Sequence, residues 1–307
     1  MEGALLKSRS RRWRSHARGG RYGDNGMEES AEMAEEKLKI LVIGAHPDDA
    51  DVHCGGLALK YIARGHTVKF LSTTNGDTGH HQIGGVELAR RRYAEAQAAA
   101  GTAGLAEYEV LDLHTGELEP SVANRKLIIR IIREYNPDLI ITHRPNDYHP
   151  DHRYTSQLVQ DASYIVTVPN MVALTDFLPR TPKICYMHDR FRKPLPFQPD
   201  VVVGIDEVIE KKVQMMHCHE SQFYEWLPFN QGIADQVPVD PEKRKKWLAS
   251  WRLPYFENIA NDYRQVLIEL YGEKKGREVR YAEAFEGCEY GAGFTKDDIP
   301  ALFPFFG

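Results

Sequence analysis

From Lys37 to about residue 206, short apolar runs alternate with amphipathic stretches. Residues 38–45, 67–74, 108–113, 138–142, 183–187 and 201–205 read as strands. The first is apolar without interruption, as in a strand buried on both faces. Residues 55–64, 86–100, 121–135 and 153–165 read as helices between strands. In the third helix Leu127, Ile128, Ile131 and Ile132 share a face, and Ser121 can cap it. This βαβα order predicts an α/β fold, a Rossmann-like, mostly parallel sheet with helices on both faces. Such sheets bind ligands outside the carboxyl ends of their strands. After about residue 206 the pattern changes. Residues 207–220 and 254–271 read as helices, separated by the aromatic segment 223–229. The apolar end, Phe303-Pro304-Phe305-Phe306, is expected to dock on a surface. With no convincing linker, residues 37–307 are read as one domain with a C-terminal helical elaboration from about 206.

Composition narrows the class. The 307 residues are 42% hydrophobic and 27% charged, ordinary for a globular protein. A formal net charge of -5 favours neither nucleic acid nor an anionic membrane as partner. No apolar run approaches the ~20 residues of a spanning helix. Cys54, Cys185, Cys218 and Cys288 are scattered, which reads as reduced thiols in a cytoplasmic protein. His217-Cys218-His219 matches no common zinc spacing and reads as a helix surface and core position. Residues 1–22 carry Arg9, Arg11, Arg12, Arg14, Arg18 and Arg21 with Glu2 the only acid, and no apolar core of a secretory signal follows. Residues 1–36 are expected to lie outside the fold, as a disordered extension or one upstream of the true start.

Candidate chemistry begins where the first strand ends. It runs into His46-Pro47-Asp48-Asp49, followed by Gly55 and Gly56. Two adjacent carboxylates there call for a positive partner. A GxGxxG turn and a P-loop lysine are both absent, and a phosphate would be repelled by Asp48 and Asp49 unless a cation intervened. Adjacent side chains in extended backbone point opposite ways. One acid can therefore sit beside His46 on a cation while the other faces the water it binds. The bland alternative is a capped helix start, with Asp49 or Asp51 as N-cap. The fourth strand ends in THRPNDYHPDHRYT, Thr142 to Thr155. Pro150 suits the first position of a helix. His149 and His152, three apart, would share a face, one binding metal and the other standing beside it. Together the two strand ends offer His46, Asp49 and His152 as ligands. A His/Asp/His set leaves a fourth position for water, as in catalytic zinc sites.

On these motifs the sequence resembles the PIG-L/LmbE family of zinc-dependent N-acetylglucosamine-type deacetylases. Ala45-His46-Pro47-Asp48-Asp49 with Gly55-Gly56 is similar to its first motif, and His149-Pro150-Asp151-His152 to its second. Asn75-Gly76-Asp77-Thr78-Gly79 and Arg92-Tyr93-Ala94-Glu95-Ala96 are similar to its intermediate segments. His219-Glu220-Ser221-Gln222-Phe223 and Tyr281-Ala282-Glu283-Ala284-Phe285 look like later segments of the bacillithiol-pathway branch. Two positions depart. Ala50 and then Asp51 stand where many members carry Glu, and His53 stands where a small or apolar residue is usual. The resemblance implies an LmbE-like fold. It implies Zn²⁺, or another divalent transition metal, on His46, Asp49 and His152. It makes Asp48 the general base, and His149 the group that stabilises the oxyanion or protonates the leaving amine. Asp151 would orient His149. Arg92 would touch the substrate's hydroxyls, or else pair with Glu95. The substrate would be a small N-acylated amino sugar, and a homo-oligomer, a hexamer, is implied for this branch. Two rival readings are another metallohydrolase, acting on a non-sugar amide or a phosphoester, and a non-catalytic sugar-binding or assembly module. A two-metal phosphoesterase would draw on Asp77, His80, His81 and Asp147.

Overall fold

Alternate residues of the first strand build two different cores. A computed structural model describes residues 37–306, so the expectation for residues 1–36 lies outside the described residues. In β1 (Lys39–Gly44), Ile40 and Val42 face one layer, with α1 (Asp49–Ala63) and α2 (Gly85–Ala103). Leu41 and Ile43 face the other, with α3 (Val122–Tyr135) and α4 (Pro150–Ile165). This is the period-2 alternation of a strand covered on both sides. The remaining strands are β2 (Thr67–Ser72), β3 (Glu107–Val110), β4 (Leu139–Thr142), β5 (Lys183–Met187), β6 (Val201–Gly204) and β7 (Ala282–Gly287). They form one seven-stranded sheet in the order β3-β2-β1-β4-β5-β7-β6. Strands β1 to β5 pair in parallel, as expected. The sequence reading had no strand at 282–287. There β7 pairs antiparallel with both β5 and β6, carried back into the sheet by the C-terminal segment.

Strand order reverses at β1, whose neighbours are β2 and β4. Ile43 pairs with Thr142, so the carboxyl ends of β1 and β4 open side by side. Both histidine-rich segments leave the sheet there, at the crevice where open α/β sheets take ligands.

Several boundaries differ from expectation. Helix α1 begins at Asp49, six residues before residue 55. Its first turn is polar enough to read as loop, but Asp49 and Asp51 suit the positive end of the helix dipole. Helix α4 starts at Pro150 in the first-turn position, three residues before residue 153. The expected helix 207–220 is shorter, α5 (Ile209–His217), and leads into a π-helical turn, Ser221–Trp226, and α6 (Leu227–Asn230). The expected helix 254–271 divides into α7 (Pro241–Asp262) and α8 (Arg264–Tyr271). Pro254 lies inside α7 rather than at its start. An internal proline costs about 3 kcal/mol, which burial of Leu248, Phe256, Ile259 and Ala260 in a third core offsets. Phe223 and Tyr224 join that core. Phe303 and Phe305 are buried in the first core against Tyr61, as expected of the apolar tail. Short helices α9 (Glu273–Glu278) and α10 (Ile299–Leu302) complete the chain. Among the described residues all four cysteines are free, and no helix is long and apolar enough to cross a membrane.

Candidate metal centre and active site

His46 and Asp49 face each other because the chain folds back directly after β1. The Asp49 Oδ2 accepts the backbone N–H of Ala45 at 3.0 Å and of His46 at 2.7 Å. This return needs Gly44, since a Cβ there would lie 2.9 Å from the Asp49 Cβ. Neither expected N-cap fills that role. Asp48 takes the N-cap position of α1, without a side-chain cap, and the Asp49 carboxylate turns inward. From the end of β4, the first turn of α4 brings His152 to the same point.

Three atoms meet there. His46 Nδ1 is 3.4 Å from Asp49 Oδ2, His152 Nε2 is 3.2 Å from His46 Nδ1, and His152 Nε2 is 3.5 Å from Asp49 Oδ2. Zinc–ligand bonds of about 2.0–2.1 Å require tetrahedral edges near 3.3–3.4 Å. The triangle fits a small divalent cation. His46, His149 and His152, and separately Asp49, His143 and His152, also present ligand atoms within 4.8 Å of one another.

The second nitrogen of each imidazole is held by a carboxylate. His46 Nε2 lies 3.3 Å from Asp151 Oδ2, and His152 Nδ1 lies 3.1 Å from Asp147 Oδ2. A hydrogen on each of those nitrogens leaves the lone pairs of His46 Nδ1 and His152 Nε2 aimed at the centre, a usual arrangement around metal-bound imidazoles. Asp151 is expected to orient His149, and its carboxylate stands off from that ring. That gap is 4.0 Å, and it is the backbone N–H of Asp151 that donates to His149 Nδ1, at 3.2 Å. The Asp151 carboxylate serves His46 instead, and Gly116 N–H donates to it at 2.7 Å.

Charges follow this packing. Burial would lower the His46 imidazole, but Asp49 and then Asp151 outweigh it and raise it to about 9. Burial would raise the Asp49 carboxyl, yet His152, His143 and His46 hold it well below the usual carboxylate range. His149 has no such carboxylate contact. Burial, then the charges of His46 and His152, push it down to about 4.

Arg92 is buried and donates from Nη2 to Asp48 Oδ1 at 2.8 Å and to the Pro47 carbonyl at 3.3 Å. Gly76 makes room for it, for a Cβ there would touch Arg92 Nη1 at 2.6 Å. Glu95, the alternative partner, instead accepts from the N–H and hydroxyl of Ser221 and pairs with Arg91 at 3.2 Å. Among the described residues, the His217-Cys218-His219 stretch takes part in no candidate metal cluster. His219 is buried with Nε2 3.1 Å from Asp51 Oδ2, and His217 meets the Tyr224 hydroxyl at 2.6 Å.

Sequence reasoning passed over His143 and weighed Asp147 only as a ligand for a second metal. His143 stacks on His152 at 4.0 Å between ring centroids, with Nε2 3.2 Å from Asp49 Oδ2. Its place directly after β4 was the available signal. Of the other spare ligands, Asp77 binds His114 and the Thr115 N–H, His80 binds Glu225, and His81 stacks on Phe229.

Fold and site together define a Rossmann-like α/β protein with a His/Asp metal-type cluster at its topological switch point. The PIG-L family, described as GlcNAc-PI de-N-acetylase, matches residues 41–163. The chain is 30% identical over 212 residues to the diacetylchitobiose deacetylase of Thermococcus kodakarensis, covering 64% of this chain and 76% of that relative. The chain belongs to the PIG-L family. It is also 28% identical over 201 residues to a probable N-acetyl-alpha-D-glucosaminyl L-malate deacetylase 2 of Bacillus cereus, over 60% of this chain and 83% of the relative. The structure of N,N'-diacetylchitobiose deacetylase from Pyrococcus horikoshii aligns with a TM-score of 0.62 at 24% identity, over 87% of this chain and 95% of that one, a likeness of fold.

Proposed function

We propose that this protein is a metal-dependent N-deacetylase. It hydrolyses the acylated amine of a small N-acetylglucosamine-type molecule, releasing the acid and the free amino sugar. The observation that carries this reading is the triangle of His46 Nδ1, Asp49 Oδ2 and His152 Nε2, with edges of 3.2–3.5 Å. These three residues would hold Zn²⁺, although His/Asp/His sites also accept other divalent transition metals. When bound, zinc polarises the amide carbonyl and lowers the pKa of water from about 16 to about 7.

The chain's own groups do the rest. Asp48 takes a proton from the attacking water as the new C–O bond forms. Arg92 holds one of its oxygens and leaves the other for that proton. Asp48 then hands the proton to the amine nitrogen as the C–N bond breaks, so protons balance over the cycle. His149, neutral at physiological pH, accepts at Nδ1 from the Asp151 N–H, which leaves its Nε2–H to donate to the developing oxyanion. That favours oxyanion stabilisation over proton delivery for His149. Arg92, bound to Asp48 and the loop carbonyls, supports the base rather than reaching for substrate hydroxyls. The two-metal reading finds its spare ligands already bound elsewhere. The cytoplasmic location and homo-oligomeric assembly that the resemblance implies belong to the same reading, and four free thiols suit the former.

The test pairs metal content with amine release from N-acetylglucosaminyl substrates on one sample, before and after chelation. One metal per chain, with activity lost to the chelator and restored by zinc, is the expected result. Well-folded protein that neither contains nor takes up metal overturns it.

A further inference from the structure

Few directed bonds place Arg92, on which the direction of Asp48 depends. Its Nη2 donates to Asp48 Oδ1 and the Pro47 carbonyl, and its Nη1 reaches the Gly76 carbonyl only at 3.5 Å. Among the described residues its Nε is buried with no partner. What confines the guanidinium at Nη1 is the backbone of residues 76–79, in the segment between β2 and α2. A Cβ on Gly76 would lie 2.6 Å from Arg92 Nη1, and a Cβ on Gly79 3.1 Å from the same atom.

That backbone is fastened to the π-helical turn Ser221–Trp226. Gln222, itself buried, donates from Nε2 to the Gly79 carbonyl at 3.1 Å. Glu225 accepts from both ends of the Arg91 fork, from Nη1 at 2.7 Å and from Nη2 at 2.6 Å. It also meets His80. The N–H groups of Gln82 and Ile83 donate to His80 Nδ1 at 3.1 and 3.3 Å, which leaves the ring hydrogen on Nε2, 2.8 Å from Glu225 Oε2. Arg91 outweighs burial, His80 adds to it, and the Glu225 carboxyl is held below its ordinary range. A forked arginine with a further donor on one carboxylate is among the strong, geometrically defined pairings. Arg91 directly precedes Arg92, and His80 directly follows Gly79. One carboxylate therefore joins the helix that carries the Arg92 guanidinium to the loop that walls it in.

We propose that Glu225 is a positioning residue for the general base: by joining Arg91 to His80 it holds residues 76–79 against the Arg92 guanidinium, and so fixes the direction of Asp48. This rests on the deacetylase reading with Asp48 as base. Glu225 acts through Arg92 alone, and small misplacements are costly, for about 1 Å at a reacting group can lower a rate about 10²-fold.

The test measures amine release from methyl N-acetylglucosaminide by the full-length, zinc-loaded protein. Glu225→Ala should lower kcat about tenfold while KM and zinc affinity stay within about twofold of wild type, because lost orientation is felt in the transition state. Glu225→Gln, which still accepts from a donor at the same length, should fall between. The loss should pass through Arg92: in an Arg92→Gln background, adding Glu225→Ala should change kcat by less than about twofold. Unchanged kcat in Glu225→Ala, or the same loss with and without Arg92, overturns the positioning role. If Glu225→Ala does not fold, Arg91→Lys, which keeps the charge without the fork, takes its place in the cycle. Amide hydrogen exchange of residues 76–85 reads the clamp without turnover. It should quicken about tenfold in the Glu225 variant, and unchanged exchange rejects the clamp. If wild type releases no amine, the deacetylase reading has failed separately, and the exchange rates decide whether Glu225 holds the loop.

Discussion

Asp48 and Asp49 are neighbours in sequence and separate in role. Asp49 turns back to the β1 terminus and faces three imidazoles, whereas Asp48 turns to Arg92. Asp48→Asn should keep metal content while turnover falls about 10²–10⁴-fold. Retained full activity would remove Asp48 as the base. His152→Ala should lose both metal and activity, and tight stoichiometric zinc in that variant would contradict the ligand set. Asp151 gives a sharper test, because its carboxylate reaches His46 rather than His149. Asp151→Asn should weaken metal affinity about 10–100-fold, measured by competition with a chromogenic chelator. A loss of turnover at unchanged affinity would instead point back to His149. Histidine and acid types at the two strand ends were legible in the sequence. Which carboxylate serves which imidazole was not, since that depends on side-chain direction across a crevice.

At the scale of elements, α1 carries Asp49 at its start and is gripped midway by a buried ion pair. Glu283, on β7, accepts the N–H of Gly56 at 2.8 Å and of Leu57 at 2.7 Å, and pairs with Lys212 of α5. Lys212 Nζ donates to the Val52 carbonyl at 2.6 Å. The pair thus bonds backbone N–H and C=O groups of α1. Gly56 allows the approach, since a Cβ there would lie 2.7 Å from an Ile205 methyl. Lys212→Met should destabilise the protein by about 3–5 kcal/mol, because Glu283 would keep a buried, unpaired charge. Adding Glu283→Gln should recover part of that loss in urea unfolding. Full additivity of the two losses would show that the pair is not coupled. The sequence contained both residues but no hint of the contact, which requires a strand returned to the sheet from about 70 residues further along the chain.

Over the whole molecule, stability should track buried histidines. Burial pushes His188 down to about 4 against an ordinary value of 6.5. The unfolded chain therefore binds a proton before the folded chain does. Stability from this group is complete above about 6.5 and is lost as the pH falls toward 4, by roughly 3 kcal/mol at the lower end. Unfolding midpoints of wild type should drop over that window more steeply than those of His188→Asn, and parallel curves would refute the assignment. Metal should also tie the fold together, since its three proposed ligands come from the β1 terminus, α1 and α4. Zinc at about 100 times its Kd should add about 2.7 kcal/mol, and a chelator should remove that increment in a thermal melt.

Local pattern determined the parts of this protein that depend on periodicity and residue chemistry. The alternating apolar runs specify a parallel sheet between helices, and type and position after strands mark His46, Asp48, Asp49, His149 and His152 as candidates. Tertiary structure decided what depends on distance between remote segments. It inserted β7 between β5 and β6, started α1 at Asp49 rather than at residue 55, and ran α7 through Pro254 because core burial outweighs local propensity. It also turned Asp151 toward His46, because the energy of a charge depends on the neighbours the fold brings to it.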